Sequence, residues 1–91
     1  MMTWKQHREK LLKDPEVRKA LKESELEFRI AKSIIEARLK RGLTQKELSK
    51  RLNTKQSVIS RLETIKTTPT LTFLKRLARV LDVPLRVELG V

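Results

Sequence analysis

Residues 54–64 read Thr-Lys-Gln-Ser-Val-Ile-Ser-Arg-Leu-Glu-Thr. At helical spacing Val58, Ile59 and Leu62 face one way, which leaves Lys55, Gln56, Ser57, Ser60 and Arg61 outward. The outward set consists of hydrogen-bonding side chains without a carboxylate among them. A surface made only for water more often carries Glu and Asp. A surface made for a DNA major groove needs donors and acceptors that meet base edges, and tolerates no negative charge beside phosphate. Recognition is therefore the chemistry these residues suit.

Catalysis is poorly provided for. The chain has no cysteine and a single histidine, His7, so a nucleophile–histidine set and a thiolate metal site are both missing. Gly42 and Gly90 are the only glycines, which excludes a glycine-rich phosphate loop. Neither an enzyme, a metal nor a cofactor is expected. No apolar run reaches bilayer length, and the charged N-terminus lacks the apolar middle of a signal peptide, so a soluble, cytoplasmic protein is expected.

The helices that must carry the outward row can be read from caps and spacing. Thr3 to Gln6 has capping-box spacing, followed by Trp4, Arg8, Leu11 and Leu12 on one face. Asp14-Pro15 is an N-cap followed by proline at the first helical position, opening a short helix to about Lys22. Ser24 to Glu27 is a second capping box, opening a long helix to about Arg41, unless the helix begun at Pro15 runs on through Ser24; the sequence leaves both open. Within the long helix Leu26, Ile30, Ile34 and Ala31, Ile35, Leu39 make one broad apolar stripe. After Gly42, a third box at Thr44 to Glu47 opens a helix that buries Leu48 and Leu52. Asn53 supplies a tight turn, and Thr54 caps the helix of the outward row. Thr70 opens the last helix, with Leu71, Leu74, Leu77, Ala78 and Leu81 inward. Beyond it, Val83, Leu85, Val87, Leu89 and Val91 alternate with other residues at strand period. A lone strand lacks a mate, so pairing with the same segment of a second copy, giving a two-fold dimer, is expected over the alternative of a frayed terminal tail.

Charge points the same way. Of the net +11, residues 1–37 contribute +2, residues 38–66 contribute +7, and residues 67–91 contribute +2. Positive potential concentrated on the middle third is the footprint of phosphate neutralisation. An RNA-binding or membrane-surface protein could use the same charge, but the sequence offers no aromatic platform for stacking single strands.

Several stretches together resemble the Xre-type family of the lambda and 434 repressors and Cro. They are Ala37-Arg38, Gly42 to Leu48, Gln56 to Glu63 and Pro69-Thr70-Leu71, within roughly residues 28–82. The resemblance implies an all-α, lambda-repressor-like helix-turn-helix bundle (residues 24–82) that binds a pseudo-palindromic double-stranded operator. It implies that Gln45 and Lys46 anchor the DNA backbone, and that Gln56, Ser57, Ser60 and Arg61 face bases or adjacent phosphates, with Lys55 on the same outward face also expected at the DNA. It further implies that Lys66 and Thr67 touch phosphate, and that Arg38 and Glu63 form a partly buried ion pair and are not two independent surface charges. Two positions depart from the family, Asn53 and Ile65, where glycine is common. A β-branched residue adopts positive φ only at a cost, so the exit from the recognition helix is expected to differ.

Residues 1–23 and 83–91 exceed what a bare DNA-binding module needs. An N-terminal helical extension with a short C-terminal β-strand for dimerisation resembles the antitoxins of HigBA-type toxin–antitoxin pairs. That resemblance implies repression of the protein's own operon and neutralisation of a RelE/HigB-like mRNA endonuclease toxin. Trp4, Arg8, Leu11, Leu12 and Phe28 would be the toxin-binding residues. Two alternatives stay open: a stand-alone prophage or metabolic repressor without a protein partner, and an N-terminal segment that folds back on the chain's own long helix.

Overall fold

The computed structural model describes residues 2–90, and these form six helices: α1 (Trp4–Leu11), α2 (Pro15–Glu23), α3 (Glu25–Lys40), α4 (Gln45–Arg51), α5 (Gln56–Glu63) and α6 (Leu71–Leu81). Four of the six begin where a side chain accepts from the first-turn backbone N–H groups. Thr3 and Thr44 make complete capping boxes with Gln6 and Glu47, Asp14 caps α2 ahead of Pro15, and Thr70 accepts from the Phe73 N–H. Two expected caps are absent. Ser24 makes no side-chain cap bond: its N–H closes α2 on the Ala20 carbonyl at 2.9 Å, and its carbonyl opens α3 by accepting from Phe28 at 3.1 Å. One residue serving as both cap and hinge separates the helices. Thr54 does not cap α5: it belongs to the closure of α4, its N–H donating to the Ser49 carbonyl at 2.9 Å, and the cap position falls one residue later, on Lys55, which makes no side-chain cap bond.

The exits are uniform. Helices α3 to α6 each end with a residue in the left-handed region: Gly42, Asn53, Ile65 and Asp82, at φ 67°, 54°, 62° and 54°. In every case the next residue's N–H reaches back five positions, from Leu43 to Arg38, Thr54 to Ser49, Lys66 to Arg61 and Val83 to Ala78. This is the Schellman closure, which satisfies the last carbonyls and turns the chain sharply. Ile65 therefore follows the course a glycine would take, contrary to the expected departure. The closure's hydrogen bonds override its intrinsic preference, at a cost on the order of 1–2 kcal/mol.

Helix α3 is the spine, and its two sides serve different layers. Ile34 joins Leu43, Leu48, Leu52, Ile59, Leu62, Leu77 and Leu81 in the main core, with Ile30 and Ala37 at its margin. Fully burying each such aliphatic side chain is worth about 1.5–3 kcal/mol. On its other side, Phe28, Ala31 and Ile35 meet Leu11, Leu12 and Val17 from the N-terminal segment in a second, smaller seam, where Ile35 and Val17 are fully buried. Two expected core positions are instead exposed. Leu26 (66%) sits beyond the reach of either layer at the start of α3, and Leu71 (52%) begins α6 on the solvent side.

The C-terminal strand is not formed. Residues 83–90 are irregular and exposed, with Leu89 91% accessible. A strand exists only by pairing, and no described segment of the same chain offers a ladder. Val91, the last residue of the expected strand, lies outside the described residues. No helix among the described residues is long and apolar enough to cross a membrane.

Candidate nucleic-acid interface

The outward row sits on a short, rigid frame. Thr44 opens α4 by accepting from the Glu47 N–H at 3.0 Å, while its own N–H donates to Glu47 Oε1 at 3.1 Å. The bond donated by the Thr44 backbone, followed by hydrogen bonding with the Thr44 side chain, holds the Glu47 carboxyl below its ordinary range. This acid is thus turned onto its own helix end. Asn53 makes the turn, and the Arg76 guanidinium of α6 donates to the Leu52 carbonyl just before it. Helix α5 then presents Ile59 and Leu62 inward, fully or nearly buried, with Val58 half-buried beside them.

On the opposite side Gln56, Ser57 and Arg61 are exposed and Ser60 is half-buried. Lys55 is exposed at the N-cap, where no side chain caps the first-turn amides. Such an end suits an anion. Lys46 is exposed on α4, and Lys66 and Thr67 are exposed in the loop after α5. Neutral hydrogen-bonding groups thus occupy the middle of the surface, with cations at its margins.

The far end of α5 is anchored by charge. Glu63, fully buried, accepts from Arg38 Nε at 2.7 Å and Arg38 Nη2 at 2.8 Å, a two-pronged pair between α5 and α3. Arg38 Nη1 also donates to the Leu43 carbonyl at 2.9 Å, tying in the turn before α4. Gln45 completes the cluster, its Nε2 donating to Glu63 Oε1 at 3.0 Å. Its side chain is thereby committed inward, to the cluster, at the head of α4.

A fourth member was missed in the sequence. His7 of α1 lies with Nε2 3.9 Å from Glu63 Oε1, buried and without a hydrogen-bond partner. Burial holds its pKa below the ordinary imidazole value, opposed by the Glu63 charge and reinforced by Arg38 and Lys10. The imidazole is neutral at pH 7. Its signal was the spacing of Trp4, His7 and Leu11, at helical offsets of three and four. The face assigned to Trp4 and Arg8 is in fact centred on His7, and Arg8 is exposed.

The residues expected at a protein partner are placed on the chain itself. Trp4, Leu11, Leu12 and Phe28 are half-buried in the seam against α3. The Trp4 ring lies 6.4 Å from His7 and 6.2 Å from Phe28, with Lys32 Nζ 5.7 Å over its face. Ile65 lines the same seam.

Comparison with known proteins agrees with this geometry. No curated protein and no solved structure matches the chain. The HTH_3 helix-turn-helix family model matches residues 34–87, more than half of the sequence, from the middle of α3 through α6 into the tail. With the capped pair α4 and α5, the tight turn at Asn53 and a carboxylate-free outward row on α5, the chain belongs to the Xre-like HTH_3 family of DNA-binding helix-turn-helix regulators.

Proposed function

We propose that this protein is a sequence-specific repressor that binds a pseudo-palindromic operator as a homodimer, and that it is the antitoxin of a RelE/HigB-like mRNA endonuclease. The observation that carries the DNA reading is the outward row on α5, free of carboxylates and braced by buried Ile59 and Leu62. Gln56, Ser57, Ser60 and Arg61 read bases or adjacent phosphates, while Lys46, Lys55, Lys66 and Thr67 with the head of α4 at Gln45 address the backbone. Two such helices, one per protomer, enter major grooves about 34 Å apart.

The dimer reading draws on the tail. Val83, Leu85, Val87 and Leu89 are all exposed, an alternating apolar edge that, beyond the Val83 N–H engaged in closing α6 and Pro84, which has none, would pair its backbone with a second copy. The antitoxin reading draws on the resemblance of the extended chain to HigA-type proteins and on the mixed charge of α1 and α2. One observation favours the second reading, a stand-alone repressor without a toxin: Trp4, Leu11, Leu12 and Phe28 are engaged by the chain's own α3.

The test begins with selection of a preferred site from random duplex DNA. Arg61→Ala then lowers affinity for the selected site far more than for unselected duplex. An equal loss on both assigns Arg61 to phosphate, and failure to enrich any site ends the sequence-specific reading. Co-expression with the product of an adjacent gene separates antitoxin from stand-alone repressor: the antitoxin co-purifies with it and the repressor does not. Removal of residues 83–91 converts the dimer to a monomer in ultracentrifugation, and an unchanged dimer rules out pairing through the tail.

A further inference from the structure

We propose that Asp14 and Glu16, at the start of α2, hold down the protein's affinity for DNA by occupying Lys66. The idea rests on the reading above that the loop after the recognition helix meets the phosphate backbone.

The placement follows from three fixed points. Ile65 in the left-handed region and the Lys66 N–H bonded to the Arg61 carbonyl at 2.9 Å set where Lys66 leaves α5. Ile65 lines the same apolar seam as fully buried Val17, so α2 is held against this exit. Asp14 caps α2 with Oδ1, which accepts the Glu16 N–H at 2.9 Å, and Pro15 fixes the first helical position. The first turn of α2 therefore projects two carboxylates at the loop: Lys66 Nζ lies 3.3 Å from Glu16 Oε2 and 3.8 Å from Asp14 Oδ2.

One ammonium against two carboxylates leaves this corner net negative. A phosphate approaching Lys66 must displace its partners and come close to both acids. The strongest basic group of the loop is thereby turned from an attraction into a small repulsion while α2 is docked. Anything that lifts α2 from the seam returns Lys66 to the DNA. The N-terminal segment is in this sense an inhibitory contact on the interface, acting through charge and leaving the base-reading row untouched.

The experiment uses the full chain and a random-sequence DNA duplex, since phosphate contacts do not depend on sequence. Asp14→Asn with Glu16→Gln removes both charges and keeps the cap, because asparagine caps as well as aspartate. We expect tighter binding by on the order of fivefold at low salt, the scale of one surface ion pair. The dependence of log affinity on log salt steepens by about 0.9, the value of one added phosphate contact. Lys66→Gln must then cost several-fold more in that background than in the parent. A double variant with unchanged affinity and slope overturns the proposal. So does a gain that survives Lys66→Gln, which would come from net charge alone. Both outcomes leave the DNA-binding reading standing, whereas a chain that binds no duplex in any variant overturns both.

Discussion

The two sides of α3 are held in unlike ways. Toward α4 and α5, a continuous aliphatic core is crossed by a directional polar cluster in which Glu63 takes three donated hydrogen bonds from Arg38 and Gln45. Toward α1 and α2, a thin apolar seam is supplemented by an aromatic group around Trp4 and by surface ion pairs at Lys66. The difference concerns what can move. Apolar contact and exposed ion pairs tolerate sliding and release, whereas a buried charge pair permits one arrangement only. The helix-turn-helix is thus built as one body, and the N-terminal segment is packed on it by less directional contacts.

Breaking the polar cluster gives the largest effect. Glu63→Ala strands Arg38, a residue 5% exposed, without its carboxylate partner. Loss of one partner of a buried pair costs about 3–5 kcal/mol, a large share of what a domain of this size has to spare. The variant is expected to be largely unfolded by circular dichroism at room temperature, with DNA binding lost alongside. A well-folded Glu63→Ala protein with a melting temperature near the parent's would show that the cluster does not hold α5 in place.

The same contrast explains what was legible in the sequence. The DNA-binding half was readable because its determinants are local. Caps at Thr44 and Thr70, the turn residues Gly42 and Asn53, and the periods of Leu48, Leu52, Val58, Ile59 and Leu62 announce themselves within a few residues. The extension depends on contacts between distant positions. Neither the meeting of His7 with Glu63 nor that of Asp14 and Glu16 with Lys66 leaves a local pattern. Ser24 holds the cap position of α3 without a side-chain bond, and the closure of α4 takes in Thr54 so that the cap position of α5 falls on Lys55; neither outcome leaves a local pattern. Ile65 was read as a misfit because its backbone preference was visible and its place in the seam was not. The tail's alternation is present in the sequence, but a strand needs a second ladder that one chain does not supply.

Ile65 sharpens the comparison at intermediate scale, because it belongs to both regions. Its backbone closes α5 in the left-handed region, and its side chain lies in the seam under α1 and α2. Ile65→Ala keeps the unfavourable φ and loses the apolar contact, and is expected to cost about 1–2 kcal/mol. Ile65→Gly loses the same contact but relieves the backbone, so it should be more stable than the alanine variant by about 1 kcal/mol. Thermal melts establish the order, and hydrogen exchange locates the damage. Protection should fall across α1 and α2 in both variants while that of α4 and α5 is kept. An alanine variant as stable as the glycine variant would mean that Ile65 is not strained.

The smallest effect is a pH dependence, and its sign follows from His7. Burial favours the neutral imidazole in the folded chain, with Arg38 of α3 and Lys10 of α1 adding to that preference and Glu63 of α5 opposing it. Its folded pKa is therefore below its unfolded one, and between the two the unfolded chain binds more protons. Stability is complete above about pH 6.5, the ordinary histidine value, and is lost as pH falls below it. One group titrating alone limits the slope to no more than about 1.4 kcal/mol per pH unit. The loss should appear first as undocking of α1, read by a change in Trp4 fluorescence on acidification, because Trp4 stacks on the same imidazole. His7→Gln cannot take up the proton and should flatten the response over this range. A Trp4 signal that still shifts in that variant would place the titrating group elsewhere. If acid instead tightened the docking of α1, the attraction of Glu63 for a protonated His7 would outweigh burial, and the seam would be a lock closed by acid.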